Sequence, residues 1–345
     1  MRTLEAPPSS VLHPVSRALH AGSFRGGLPP VVDLRSLEHG GLPLVGGAVF
    51  RAKHEKRWIY AAIAAGDLFV GAAIIKLGYA SSAFVFAFDR ASGRMLDDVS
   101  FIGPPTFAKV NGAPREGASA RFASPVQKGS LTWHRAEGSG AFTLAVRAGS
   151  MVIDARFDAS SAPPPIGVVA GLGAPGLVNA TEKGALLAVT GAASIGGRAF
   201  SLDGGLGGYD YTHGYLARRT AWKWAYLLGR AESGERVGLN LVQGFVGEPE
   251  CALWIDGALH PLAEGRFAFD AKNPLAPWQV RTADDSVDLR FEPGGIHQEH
   301  KNLGVITSRF IQPVGCFSGT IRIPGRDPLV LTRALGVVED QDVLW

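Results

Sequence analysis

The chain is predicted to be all-β, folded as two tandem antiparallel barrels or strongly curved sandwiches. Three observations point there: its glycine and proline content, a rhythm of short apolar runs, and an internal repeat. Forty-five glycines and 22 prolines are scattered without period through 345 residues, which suits many short strands joined by tight turns and not a helical bundle. Apolar runs at 58–62, 68–75, 83–88, 129–133, 142–146 and 151–157 recur at the spacing of a sandwich or barrel. Between them stand turn signals, Ala65-Gly66-Asp67, Asp89-Arg-Ala-Ser-Gly93, Glu137-Gly-Ser-Gly140 and Ala148-Gly149. No window of a dozen residues carries the 3.6-residue period of an amphipathic helix.

The repeat sets the domain organisation. Trp58-Ile-Tyr60, a turn and the run 68–71 are echoed by Trp224-Ala-Tyr226, a turn and the run 237–241, and Phe86-Ala-Phe-Asp89 is echoed by Leu253-Trp-Ile-Asp256, at offsets of 166 to 167. Later, Thr190-Gly191, Gly196-Gly197 and 207–210 resemble Ser318-Gly319, Gly325-Arg326 and 336–340 at offsets near 130, so the first copy carries the longer insertions. The expected organisation is an extended lead-in over residues 1–45, rich in proline, a first barrel-like domain over 46–205 and a second over 206–345.

The densest stretch of ring-bearing and ionisable groups is Gly204 to Gly229. Its glycine-rich first part reads as a loop with unusual backbone angles. Its second part reads as a strand with Thr220, Trp222, Trp224 and Tyr226 on one face and Arg219, Ala221, Lys223 and Ala225 on the other. Asp210 and His213, three apart in the expected loop beside Tyr209 and Tyr211, are able to face one space, where partial desolvation tunes such groups for proton transfer. If the cationic face of Arg219 and Lys223 points inward, the ligand carries a carboxylate or phosphate; if the face of Trp222 and Trp224 does, the ligand is apolar. Asn240, Arg309, Gln312 and Glu339 interrupt or flank apolar strands and are candidates to converge on a ligand as well.

Other signals exclude more than they indicate. A formal charge of +3 spread over both halves is no nucleic-acid footprint. The first residues lack the apolar core of a signal peptide, and the longest apolar run, 61–75, is broken by Asp67 and closed by Lys76, so no transmembrane segment is expected and the protein reads as cytoplasmic. Cys251 and Cys316 then read as buried thiols. His297 and His300 have a ligand-like spacing only on a helix, whereas Pro293-Gly-Gly295 before them argues for a turn, so no metal is expected. Gly171-Leu-Gly173-Ala-Pro-Gly176 matches a dinucleotide fingerprint literally, but no βαβ unit surrounds it and no acidic residue stands about twenty positions on. With no Walker loop and no Gly-x-Ser-x-Gly elbow either, no cofactor is expected.

Tyr209-Asp210, the run 218–225, Val237-Gly-Leu-Asn240, Ala252-Leu-Trp254-Ile-Asp256-Gly257, Phe310-Ile-Gln312-Pro-Val-Gly315 and Gly336-Val-Val-Glu339-Asp340 resemble the bacterial family designated domain of unknown function 2804. More remotely they resemble the double lipocalin-like barrels of hydroxyneurosporene synthase, a carotenoid hydratase, and of the AttH group. The resemblance implies lipocalin-like barrels with an acid and aromatic rings around an apolar substrate. The Asp-His-Glu-Trp signature of those proteins is absent as a unit here, since Tyr211-Thr212 separates Asp210 from His213. Two functions of different class follow. One is a cofactor-free hydratase, dehydratase or isomerase acting on an apolar or amphipathic small molecule, with Asp210 moving the proton, aided by His213. The other is a non-catalytic carrier of a lipid or terpenoid, for which the same rings supply affinity alone.

Overall fold

Two antiparallel sheets curl against each other, and each apolar run named above is a strand in the first of them. The computed structural model describes residues 2–37, 47–111, 119–135, 140–302 and 307–345; most of the turn expected at 137–140 lies outside them. In the first sheet, hydrogen-bonded neighbours run Arg94–Gly103, Ser81–Asp89, Leu68–Leu77, Glu55–Ala65, Gly205–Tyr215, Val178–Ile195, Met151–Asp158, Ala141–Ala148, Gly129–His134, Ser119–Ser124 and Ala108–Val110. In the second they run Ala258–Pro261, Ala252–Ile255, Arg236–Gln243, Arg219–Arg230, Leu329–Leu344, Thr307–Ile321, Val287–Asn302, Trp278–Thr282 and Gly265–Ala268. The two orders coincide strand for strand, apart from the two extra strands that end the first. In each, the first strand of the copy is hydrogen-bonded to its last, Glu55–Ala65 to Gly205–Tyr215 and Arg219–Arg230 to Leu329–Leu344.

The repeat also survives in the ladders. Gly71 is paired with Phe86 in the first sheet and Gly238 with Trp254 in the second, a glycine opposite a large aromatic residue at matching places. That register sets Phe86 against Trp254, one residue from the sequence match of Phe86 with Leu253. Each sheet bends until its far end packs back over its second strand, Ala108–Val110 over Leu68–Leu77 and Gly265–Ala268 over Arg236–Gln243. Among the described residues no backbone ladder joins these ends; packing and a few side-chain hydrogen bonds, such as Phe267 N to Gln243 Oε1, close the curled half-barrels.

The glycine-rich part of the central stretch differs from its expectation. It is no loop: Gly205–Tyr215 is a buried strand of the first sheet, so the change of sheet falls at 216–218 and not at 205/206. Of its glycines only Gly204, in the turn before the strand, has a left-handed backbone angle, φ 76°; within the strand, a Cβ on Gly207 would press into Phe157, and one on Gly208 into the Tyr226 hydroxyl of the other sheet. The lead-in is more than extended chain. Gly22–Arg25 pairs with Ile166–Gly171, Val11, Leu12, Leu28 and Leu34 are buried, and Arg2 donates to the carbonyls of Glu248 and Pro249 in the second half.

The described residues include one α-helix, Ala48–His54, and no helix long and apolar enough to cross a membrane. The fingerprint-like glycines at 171–176 join two antiparallel strands, Ile166–Gly171 and Val178–Ile195, so no helix follows them. Cys251 and Cys316 are buried free thiols, and burial pushes the Cys251 thiol up to about 12. His297 lies on a strand, its Nδ1 2.7 Å from Asp98 Oδ1 and its ring against Phe84.

Candidate active site between the two sheets

The cavity of interest opens where the sheets meet, and not inside either half-barrel. It holds about 410 Å³ and takes its walls from both copies: Trp58, Tyr60, Phe84, Asn179, Lys183, Asp210 and Thr212 from the first half, and Trp222, Trp224, Glu250, Phe310, Gln312 and Glu339 from the second. The aromatic face of Arg219–Arg230 therefore points inward. Trp58 stacks on Trp222 with centroids 6.3 Å apart, the Tyr60 ring meets Trp224 edge-on at 5.3 Å, and Trp224 stacks on Tyr226 at 5.5 Å. These rings come from the first strand of each copy, facing one another across the interface.

The last strand of each copy brings a carboxylate to the same space. Asp210 lies beside Tyr60 in its ladder and Glu339 beside Trp224. Their surroundings differ. The Asp210 carboxylate is 2.7 Å from Lys183 Nζ and accepts from Thr181 Oγ1 at 3.2 Å. Lys183 reaches Glu250 at 3.3 Å as well, and although burial works against its charge, the two carboxylates outweigh it and hold the ammonium above its ordinary value. Glu339 has no cation in hydrogen-bond reach among the described residues; it accepts from Trp222 Nε1 at 2.6 Å and Gln312 Nε2 at 2.8 Å. Burial pushes its carboxyl up to about 7, against the pull of those two donors. Behind the rings, Trp224 Nε1 donates to Asn240 Oδ1 at 2.7 Å, and Asn240 donates on to the Glu250 carbonyl.

Of the residues expected to form a site, Asp210, Trp222, Trp224, Gln312 and Glu339 line this cavity, and Asn240 stands one layer behind. The other expectations are corrected by strand parity. On a strand, residues three apart point to opposite faces, so His213 turns away from Asp210 into a cleft beside Glu55, 3.1 Å from its Oε1, where burial lowers the imidazole. Tyr209 and Tyr211 share that face: Tyr209 donates to Glu182 and packs on Phe142, and Tyr211 donates to the Asn111 carbonyl. Arg219 is exposed and paired with Asp342; Lys223 lies 3.8 Å from Asp340, and Arg309 2.6 Å from the same aspartate, outside the cavity.

Residues not anticipated are as instructive. Asn179, Thr181 and Lys183 alternate along Val178–Ile195 and all face the interface. A polar stripe of period two in a buried strand was the available signal. Glu250 is the last residue of a short 3-10 turn in the second half, Glu248–Glu250, and nothing local marks it.

Among curated proteins none matches the chain by sequence. Solved structures do match by shape. An AttH-type protein of Nitrosomonas europaea superposes with a TM-score of 0.50 at 12% identity, over 84% of this chain and 92% of that one. CghA, solved with the compound Sch210972, gives 0.51 at 12% identity, over 85% and 89%. Kievitone hydratase of Nectria haematococca gives 0.49 at 11% identity, over 100% and 98%. At such identities the first two establish a shared fold, the double half-barrel derived above. The model of the family described as a domain of unknown function, DUF2804, matches residues 41–345, and the chain belongs to that family.

Proposed function

We propose that this protein is a cofactor-free acid–base enzyme of hydratase, dehydratase or isomerase type, acting on a mostly apolar small molecule in the inter-sheet cavity. One observation carries this reading: two carboxyl groups on one aromatic cavity in opposite environments, Glu339 buried with no cation in hydrogen-bond reach among the described residues and Asp210 paired with Lys183. A carboxyl raised by burial is suited to give a proton, and a carboxylate held beside an ammonium to receive one. In hydration, the Glu339 proton goes to one carbon of a ligand double bond, while positive charge developing on the other is stabilised by the faces of Trp222, Trp224 and Tyr60. A water oxygen bonds to that carbon and its proton passes to Asp210. Dehydration is the reverse, and isomerisation is protonation at one carbon with deprotonation at another. The role first assigned to Asp210 aided by His213 thus passes to Glu339 with Asp210. The similarity in fold to CghA, solved with a small molecule, supports a ligand-binding role.

The test begins with native mass spectrometry to identify a co-purified ligand, followed by incubation in D₂O. Wild type is expected to label the ligand at carbon, and Glu339→Gln to slow labelling by about 10²-fold or more while retaining affinity. Equal, negligible labelling by both would leave a carrier and remove the enzyme.

Glu339 also predicts a pH profile. The folded carboxyl titrates at about 7 against an ordinary 4.5, so over that window the folded chain binds more protons than the unfolded one. Stability from this group is then present below pH 4.5 and lost as pH rises towards 7, by roughly 3 kcal/mol in all. Denaturation at several pH values is expected to show this fall in wild type and a flatter curve in Glu339→Gln, with wild-type turnover declining above about pH 7.

A further inference from the structure

Among the described residues, four polar atoms on the cavity wall have no hydrogen-bond partner; one, the Tyr79 hydroxyl, belongs to a half-buried residue whose ring carries Lys56, and the other three belong to buried residues. The Tyr60 hydroxyl, Asn179 Oδ1 and Gln312 Oε1 are buried and unbonded, and all three residues line the cavity. The far end of each amide sets its orientation: Asn179 Nδ2 donates to Glu250 Oε1 at 3.1 Å, and Gln312 Nε2 donates to Glu339 Oε2 at 2.8 Å. Each therefore presents an oxygen, which accepts only, whereas Tyr60 presents a hydroxyl that donates. Buried polar atoms are costly to leave unbonded, and those that persist call for a specific explanation.

Charge narrows the choice of ligand. Lys183 is the one cation among the described lining residues and is already held by Asp210 and Glu250, while Asp210, Glu250, Glu299 and Glu339 are acids. Lys56, nearby, donates to the Lys53 carbonyl and lies over the rings of Tyr79 and Trp345. A carboxylate or phosphate entering this space meets like charge. An ammonium meets rings and acids, but it has no lone pair for Tyr60.

We infer, building on the reading of this cavity as the ligand site, that the ligand is a neutral, largely apolar molecule with a hydroxyl that donates to Gln312 or Asn179 and a carbonyl-type oxygen that accepts from Tyr60. Tyr60, Asn179 and Gln312 are then the specificity-determining contacts, set apart from the acid–base pair. In this arrangement the rings select for apolar bulk, and the three unbonded atoms select the oxygenation pattern.

Tryptophan fluorescence titration with dodecanol, 2-dodecanone, dodecanoate and dodecyltrimethylammonium, which share one chain, tests this. The alcohol and the ketone are expected to bind about tenfold or more tightly than either ion. Tyr60→Phe is expected to weaken 2-dodecanone by roughly 3- to 10-fold, the span of one neutral hydrogen bond, while its melting temperature equals or exceeds that of wild type because the lost hydroxyl has no partner. Tightest binding of dodecanoate or of dodecyltrimethylammonium, binding of none of the four, or unchanged ketone affinity in Tyr60→Phe would overturn the inference. These titrations involve no turnover, so they fail or succeed separately from the D₂O labelling of Glu339→Gln.

Discussion

Lys183→Met is expected to lower the unfolding free energy by about 3–5 kcal/mol at pH 8, because removing one partner of a buried ionic cluster leaves uncompensated charge behind. The side chains of Lys183 and Glu250 are each 4% exposed, and that of Asp210 is 12% exposed. Methionine fills similar volume, so the loss is electrostatic and not a cavity effect. Its pH dependence provides a check. Without the ammonium, less offsets the burial that already holds the Glu250 carboxyl above its ordinary value, so the variant binds extra protons on folding and recovers stability as pH falls. Urea denaturation at pH 8 and pH 5 should show a deficit that shrinks with acid, and adding Asp210→Asn should restore part of it at pH 8. A deficit below about 1 kcal/mol at pH 8, the value of an exposed pair, would mean that water reaches the cluster.

Trp254→Ala is expected to cost a comparable amount, about 3–5 kcal/mol, for a different reason. Trp254 has no solvent exposure, and its indole donates to the Pro164 carbonyl at 3.0 Å, from the second sheet to a connecting segment of the first half. Its ladder partner Gly238 would bring a Cβ against Ala185 of the first half, so this ring is packed at the seam between halves. Alanine leaves a void and an unbonded carbonyl together. The expected result is one cooperative thermal transition at lower temperature; a second, separate transition would show that the seam, and not either half, sets cooperativity. A melting temperature within a degree or two of wild type would count against this packing.

The fold was legible in sequence because period-two runs and turn residues are local signals. Trp58, Tyr60, Trp224 and Tyr226 could be matched across copies for the same reason: they occupy the same strand of each. The site was less legible. Asp210 and His213 were read together only because glycines suggested a loop; once Gly205–Tyr215 is a strand, parity separates them. Arg219, Lys223 and Arg309 were open to either face, since the sequence of a strand shows that its faces differ and not which one the other sheet covers. Lys183 and Glu250 come together with Asp210 from three distant segments, an arrangement no local pattern announces. Gln312 and Glu339 reached the cavity because polar groups inside apolar strands need a partner, and here they are each other's.

Because the first strand of each copy is zipped to its own last strand, the peptide link between the copies carries little of the hydrogen bonding. Leu216 N donates back to the His54 carbonyl, within the first copy, while Trp345 N donates to the Arg218 carbonyl, within the second. A chain interrupted between Leu216 and Ala217 keeps both ladders whole, so two separately translated polypeptides are expected to reassemble into a complex that quenches with dodecanol as the intact protein does. Neither piece alone is expected to do so, since Lys183, Asp210 and Tyr60 belong to one and Glu339, Gln312 and Trp224 to the other. The inter-sheet cavity is in this sense a property of a heterodimer that happens to be fused, and circular permutants opened at this junction should be as competent as the natural order.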